Sequence, residues 1–218
     1  MFIVDGNGES SFDPDKIEVY VDPAPVTLPG ELQAFRKRIE QRELAKRERG
    51  EQYFWNGARF AVASVAVTRT GLTEESEIRI GFRPSDYYNF RTIQESIDEF
   101  IPKYDKTLRD QYLSPFYWNR PVPFLSSSFG VNVILITRDG DLIITQRSEV
   151  VGSRPNQYSV SANEGLSRGV DDAGGNPPDL YECAYRALKE ELGIRKGDLQ
   201  IEHSHAERYK ILAFGVDL

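Results

Sequence analysis

From Lys16 to Asp22 apolar and polar residues alternate in KIEVYVD, a period of two that predicts a strand, and the prolines and glycine of PAPVTLPG then break it. Between Glu31 and Arg49 the period lengthens. Leu32, Phe35, Ile39 and Leu44 recur at near-helical spacing among seven basic and four acidic residues. The pattern predicts a helix whose charges form either a solvated face or a patch facing phosphates. ARFAVASVAVTRTG (58–71) and SEIRIGFRP (76–84) are rich in residues that suit a pleated surface and predict two paired strands joined by a polar turn. SDYYNFRTIQESIDEFIP (85–102) reads as a helix capped by Ser85 or Asp86 and ended before Pro102. KTLRDQYL gives a short helix ahead of a proline-punctuated link.

After Pro121–Phe124 the pattern changes. In GVNVILITRDGDLIITQRS (130–148) two apolar runs flank RDGD, where Asp139 and Gly140 suit the positive φ of a tight turn, so a hairpin is predicted. QYSVSAN follows as a short strand, then the glycine- and proline-rich EGLSRGVDDAGGNPP, then a helix from about Asp179 to Leu192 that Gly193 is placed to terminate. IEHSHAERYKILAFGVDL reads as strand, turn and strand. The expected organisation is an α+β N-terminal module over residues 1–122 and a second module over 123–218.

With 218 residues, 39% of them hydrophobic, the chain can fill a real core. No apolar run approaches the roughly 20 residues of a membrane span, and MFIVDGNGESSFDPDK lacks the basic start and apolar stretch of a secretory leader, so the expected location is cytoplasmic with no membrane partner. The net charge of −7 argues against a protein that wraps nucleic acid. The lone Cys183 excludes an internal disulfide and reads as a packed residue.

The last predicted helix raises a question of charge. Leu180, Ala184, Leu188 and Leu192 line one side, and Glu182, Arg186 and Glu190 line another as an ion-pair ladder. Yet Glu190 and Glu191 crowd its last turn, where the helix dipole disfavours carboxylates. A cation nearby would resolve this.

RALKEELGI resembles the second half of the Nudix box, G-x5-E-x7-R-E-U-x-E-E-x-G-U with U a bulky aliphatic residue. Arg186, Leu188, Glu190, Glu191, Gly193 and Ile194 match it. The resemblance implies a Nudix fold, α/β/α with a mixed sheet between helices, and hydrolysis of a pyrophosphate bond with Mg²⁺ or Mn²⁺ held by glutamates. Glu190 and Glu191 are then the metal ligands and catalytic residues, with Arg186 orienting Glu190 or the glycine-rich loop. Two departures stand out. Ala187 occupies the position of a usual glutamate ligand, and counting back from Arg186 puts Pro178 and Asp172 where the motif has glutamate and glycine. The earlier NEG, Asn163 to Gly165, suggests an insertion, with Glu164 supplying the missing oxygen and Glu182 a weaker candidate. His203 and His205 lack metal-binding company and read as surface or half-buried groups, with substrate contact or proton transfer as the alternative, and Glu202 and Glu207 are minor candidates for a further carboxylate.

The segments WNGARFAVASVAVT and IRIGFRPSDYYNFRTIQES, with the hairpin, are similar in layout to a Nudix subfamily that includes a UDP-glucose pyrophosphatase. That likeness implies a UDP-sugar cleaved to UMP and sugar 1-phosphate. If the N-terminal module faces the site, Arg83, Tyr87 and Arg91 are the expected substrate-binding groups, with Tyr88 close by, though Tyr87, Tyr88 and Phe90 also suit a packed aromatic interface. The alternative is a catalytically degenerate Nudix module that binds a nucleotide or a protein. The stretch from Phe124 to Leu218 is short for the fold, so a truncated C-terminal part and an open sheet edge are expected. A homodimer is one way to cover that edge.

Overall fold

Thirteen strands and four α-helices follow one another in the order β1 (Phe2–Asp5), β2 (Ile17–Val21), α1 (Gly30–Glu48), β3 (Ala58–Thr70), β4 (Glu75–Asp86), α2 (Tyr87–Ser96), β5 (Phe100–Ile101), β6 (Lys106–Thr107), α3 (Leu108–Tyr112), β7 (Gly130–Val133), β8 (Leu135–Ile136), β9 (Leu142–Ile143), β10 (Thr145–Gln146), β11 (Tyr158–Ser159), β12 (Ala162–Gly165), α4 (Leu180–Leu192) and β13 (Phe214–Val216). This computed structural model describes residues 2–5, 12, 14–72, 75–113, 121–151, 154–199 and 211–216, and these elements are those of the described residues. The protein is of the mixed α+β class, and no helix among those residues is long and apolar enough to cross a membrane.

The alternating segments near the N-terminus build a three-stranded sheet ordered β2-β4-β3, in which β2 runs parallel to β4 and β3 pairs antiparallel along nearly all of β4. The rest of the β-structure is two-stranded: β7 with β12, β8 with β9, β10 with β11, β5 with β6, and β1 with β13. The single mixed sheet expected between helices is thus distributed over several small ones. The 130–148 hairpin turns at Thr137–Asp141, where the Thr137 and Gly140–Asp141 backbones bond one another. Its Ile134, Ile136, Leu142 and Ile144 are exposed.

The main core takes Phe60 of β3, Ile78, Ile80 and Phe82 of β4, Leu166 just after β12, Leu180 and Cys183 of α4, and Phe12 and Phe214. It therefore draws on residues from both sides of the expected boundary at 122–123. Backbone bonds cross that line as well: Val62 N–H donates to Ser126 O at 3.0 Å and Phe129 N–H to Phe60 O at 3.1 Å. Burial, the largest influence, pushes the Cys183 thiol up to about 12, so it packs as an apolar group.

Local capping explains where the helices begin. Asp86 accepts from the Asn89 N–H at the start of α2, and Thr107 accepts from Asp110 N–H at the start of α3. In α4, Asp179 accepts from the Tyr181 and Glu182 N–H groups, while Gly193 takes a left-handed φ of 71° and closes the C-terminus. Asp179→Ala is expected to cost about 1 kcal/mol, read as a lower urea midpoint at unchanged m. A loss below a few tenths of a kcal/mol would show that the cap does not anchor α4.

The charges of α1 are spent on its neighbour. Arg36 bonds Asp86 and Asn89 at the head of α2, Arg42 grips Glu95 bidentately at 2.8 and 2.9 Å, and Arg49 pairs with Glu51. Arg36 and Arg42 thus form an ion-paired seam between α1 and α2, while Lys37, Arg38 and Arg47 stay on the solvated face.

Candidate functional site

Helix α4 packs on the β7–β12 ribbon through Ala184, Ala187 and Leu188 against Val133 and Ala162. This contact sets the register between Glu190 and Glu191 on the helix and Asn163, Glu164 and Gly165 on β12. Glu191 reaches the strand, where both of its carboxylate oxygens accept from the Asn163 N–H, at 3.2 and 3.3 Å. Glu164 lies in a half-buried position and accepts from the Gly165 N–H at 2.9 Å. Its Oε1 is also 3.2 Å from Arg186 Nη1.

Arg186 is the hub. Its guanidinium meets Asp171 twice, Nε to Oδ1 at 3.1 Å and Nη2 to Oδ2 at 2.8 Å, and Nη2 also donates to Gly165 O at 3.0 Å. On the same helix Glu190 lies 3.8 Å away, with more than half of its side chain in solvent. Burial disfavours the guanidinium charge, but the bonds to Asp171 and the field of Glu164 outweigh it and hold the group cationic. One arginine thus faces three carboxylates, those of Asp171, Glu164 and Glu190. The Glu191 carboxyl is pushed up first by burial and further by Glu164 and Glu190, against the Asn163 N–H and the field of Arg147.

The donor set of hard oxygens suits Mg²⁺, which needs only one or two carboxylates and keeps several waters. Glu190 and Glu191 fit that requirement. Glu164 is turned to Arg186, and among the described residues no group of three or more His, Cys, Asp or Glu side chains is gathered closely enough to hold an ion. Ala187 is fully buried in the apolar contact with β7 and β12. A glutamate there would start from the core, one turn beneath Glu191.

Asp171 is the residue that reading the sequence missed. Gly165 and Asp171 have the G-x5-acid spacing of the first half of the box with aspartate in place of glutamate, and fourteen residues, 172–185, then separate Asp171 from Arg186 where the motif has seven. Counting back from Arg186 at the motif's spacing passes over this pair. The signal was Gly165 itself, counted forward. Glu182, expected to pair with Arg186, instead faces Lys196.

The expected substrate groups are divided. Arg83 on β4 is held by Asp22 at 2.6 and 2.9 Å, and Arg91 on α2 is bound to Glu95 and lies over the Phe54 ring. Tyr88 is buried and donates to Phe54 O. Tyr87 stands between Phe54 and Phe90, with the Arg59 guanidinium 5.9 Å from its ring centre, and Arg59 in turn bonds Ser167 next to the Gly165 loop. Of the three, Tyr87 is the one linked to the glutamate site. His203, His205, Glu202 and Glu207 lie outside the described residues.

Comparison with known proteins adds no family: no protein-family model matches this chain, and no curated protein matches it.

Proposed function

We propose that this chain is a Nudix-type, Mg²⁺-dependent hydrolase that cleaves the pyrophosphate bond of a nucleoside diphosphate linked to another group, with a UDP-sugar yielding UMP and sugar 1-phosphate as the best candidate. The observation that carries the reading is the meeting of α4 and β12 around Arg186, which gathers Glu164, Glu190 and Glu191 near one another. The motif match in α4, the G-x5-D spacing and the strand–loop–helix order support a Nudix fold. Glu190 and Glu191 would hold Mg²⁺ (or Mn²⁺), which when bound neutralises phosphate oxygens and acidifies an attacking water. Arg186 keeps the Gly165 carbonyl and Glu164 in place beside them.

Glu191→Gln tests this. The amide oxygen still accepts from Asn163, so the fold should hold, while Mg²⁺-dependent release of UMP from UDP-glucose drops by about 100-fold or more. Retained turnover would remove Glu191 from the site. A second reading, a nucleotide- or protein-binding module without catalysis, is favoured by Ala187 lying buried in the apolar contact. Absence of Mg²⁺-dependent turnover on UDP-glucose, ADP-ribose, NADH and capped RNA would select it.

A further inference from the structure

Arg36, Arg83, Arg91 and Arg186 all have a carboxylate within ion-pair distance. Arg59 does not, among the described residues. Its half-buried guanidinium donates to the Ser167 hydroxyl, lies against the ring of Tyr87, and rests beside Gly165, where an added Cβ would sit 3.3 Å from Nε and 3.6 Å from Cζ. Glycine at 165 leaves that space for the guanidinium. A cation partly removed from water without a counter-ion is unfavourable, and a planar fork of five donors with one spent on a hydroxyl is suited to take phosphate oxygens in pairs.

The surroundings fit a nucleotide. Gly165 lies between two arginines: Arg186, already neutralised by Asp171 and Glu164, and Arg59, which is not. Tyr87, its ring centre 5.9 Å from the Arg59 guanidinium, adds an aromatic face next to it. The loop is fixed there by Arg168 N–H donating to Ala58 O at 3.3 Å.

We infer that Arg59, positioned by the Ser167 hydroxyl and flanked by Tyr87, binds the phosphate of a nucleoside diphosphate. The inference rests on the hydrolase reading for the rest of the substrate, and it transfers the phosphate contact from Arg83 and Arg91 to a residue of β3. Arg59 is a binding residue here, not a group that acts on the scissile bond.

Binding of UDP in EDTA, measured by calorimetry, separates this from catalysis. The wild-type protein should bind UDP and bind uridine at least tenfold more weakly. Arg59→Gln should weaken UDP at least tenfold and uridine little, Arg59→Lys should recover part of the loss, and Ser167→Ala should cost a few-fold. Absence of UDP binding by the wild type, equal binding of UDP and uridine, or a folded Arg59→Gln that binds UDP normally overturns the inference. If Arg59→Gln does not fold, Arg59→Lys decides: UDP affinity with no change from wild type in Ser167→Ala as well would sink it. Binding as stated without turnover of any pyrophosphate would end the hydrolase reading and leave this site standing.

Discussion

Arg186→Ala is expected to destabilise the protein by about 3–5 kcal/mol, because it leaves the Asp171 carboxylate, 2% exposed, charged and without its cation. Asp171 also accepts from the Ser167 N–H at 2.7 Å, so the same change loosens the loop that runs from Gly165 to α4. Chemical unfolding followed by far-UV circular dichroism measures the loss. Asp171→Asn combined with Arg186→Leu should cost less than the two single changes added together, since neither charge is then stranded. A single-mutant loss below about 1 kcal/mol would mean that water reaches Asp171 and the pair is an ordinary surface bridge.

Glu43→Ala should have an effect of similar size, about 3 kcal/mol, through contacts that include none of the α4 glutamates. The Glu43 side chain is 1% exposed although it lies on the most charged helix, and it accepts from Arg42 Nε at 2.8 Å, Lys46 Nζ at 3.1 Å and the Phe54 N–H at 3.0 Å. It ties the end of α1 to the segment that leads into β3. Burial, the largest single influence, raises its carboxyl pKa, but the Phe54 N–H, Arg42 and Lys46 together hold it below 4.5. Because the folded value is the lower one, the ionised carboxylate stabilises the fold fully above pH 4.5, and that contribution is lost as pH falls through the folded value. The stability gap between wild type and Glu43→Gln should therefore be constant from pH 7 to about 5 and shrink below 4.5. A gap that widens on acidification would place the carboxyl above its ordinary range.

What was legible in the sequence was mostly local. Asp86, Thr107, Asp179 and Gly193 stop or start helices by bonds to residues two to four positions away, so the helices appear near their predicted places. The second predicted helix ends at Ser96, earlier than Pro102, as the chain turns into β5. Partners far apart in sequence were not legible. Nothing in KIEVYVD says that β2 runs beside β4 and leaves β3 the other edge. Glu43 follows buried Ile39 by four residues on the same helix face, but its charge reads as solvated, and its burial rests on bonds to Arg42, Lys46 and Phe54. In the candidate site Glu190, Glu191 and Arg186 stood out because their spacing is helical. Asp171 was hidden by the residues that follow it, and Arg59, a single arginine in a strand, carries no pattern at all.

The pairing of β1 with β13, seconded by the bridge between Phe12 and Ile211, joins parts of the chain that lie almost its whole length apart. Phe12 and Phe214 pack edge to face within the same core as β3 and β4. Residues 211–216 leave the ribosome only after the β2-β4-β3 sheet has been synthesised, so Phe2–Asp5 must wait unpaired while that sheet can already form. Closing so long a loop is entropically slow. The pairing of β1 with β13 is therefore expected to form late in folding, after the sheet it packs beside.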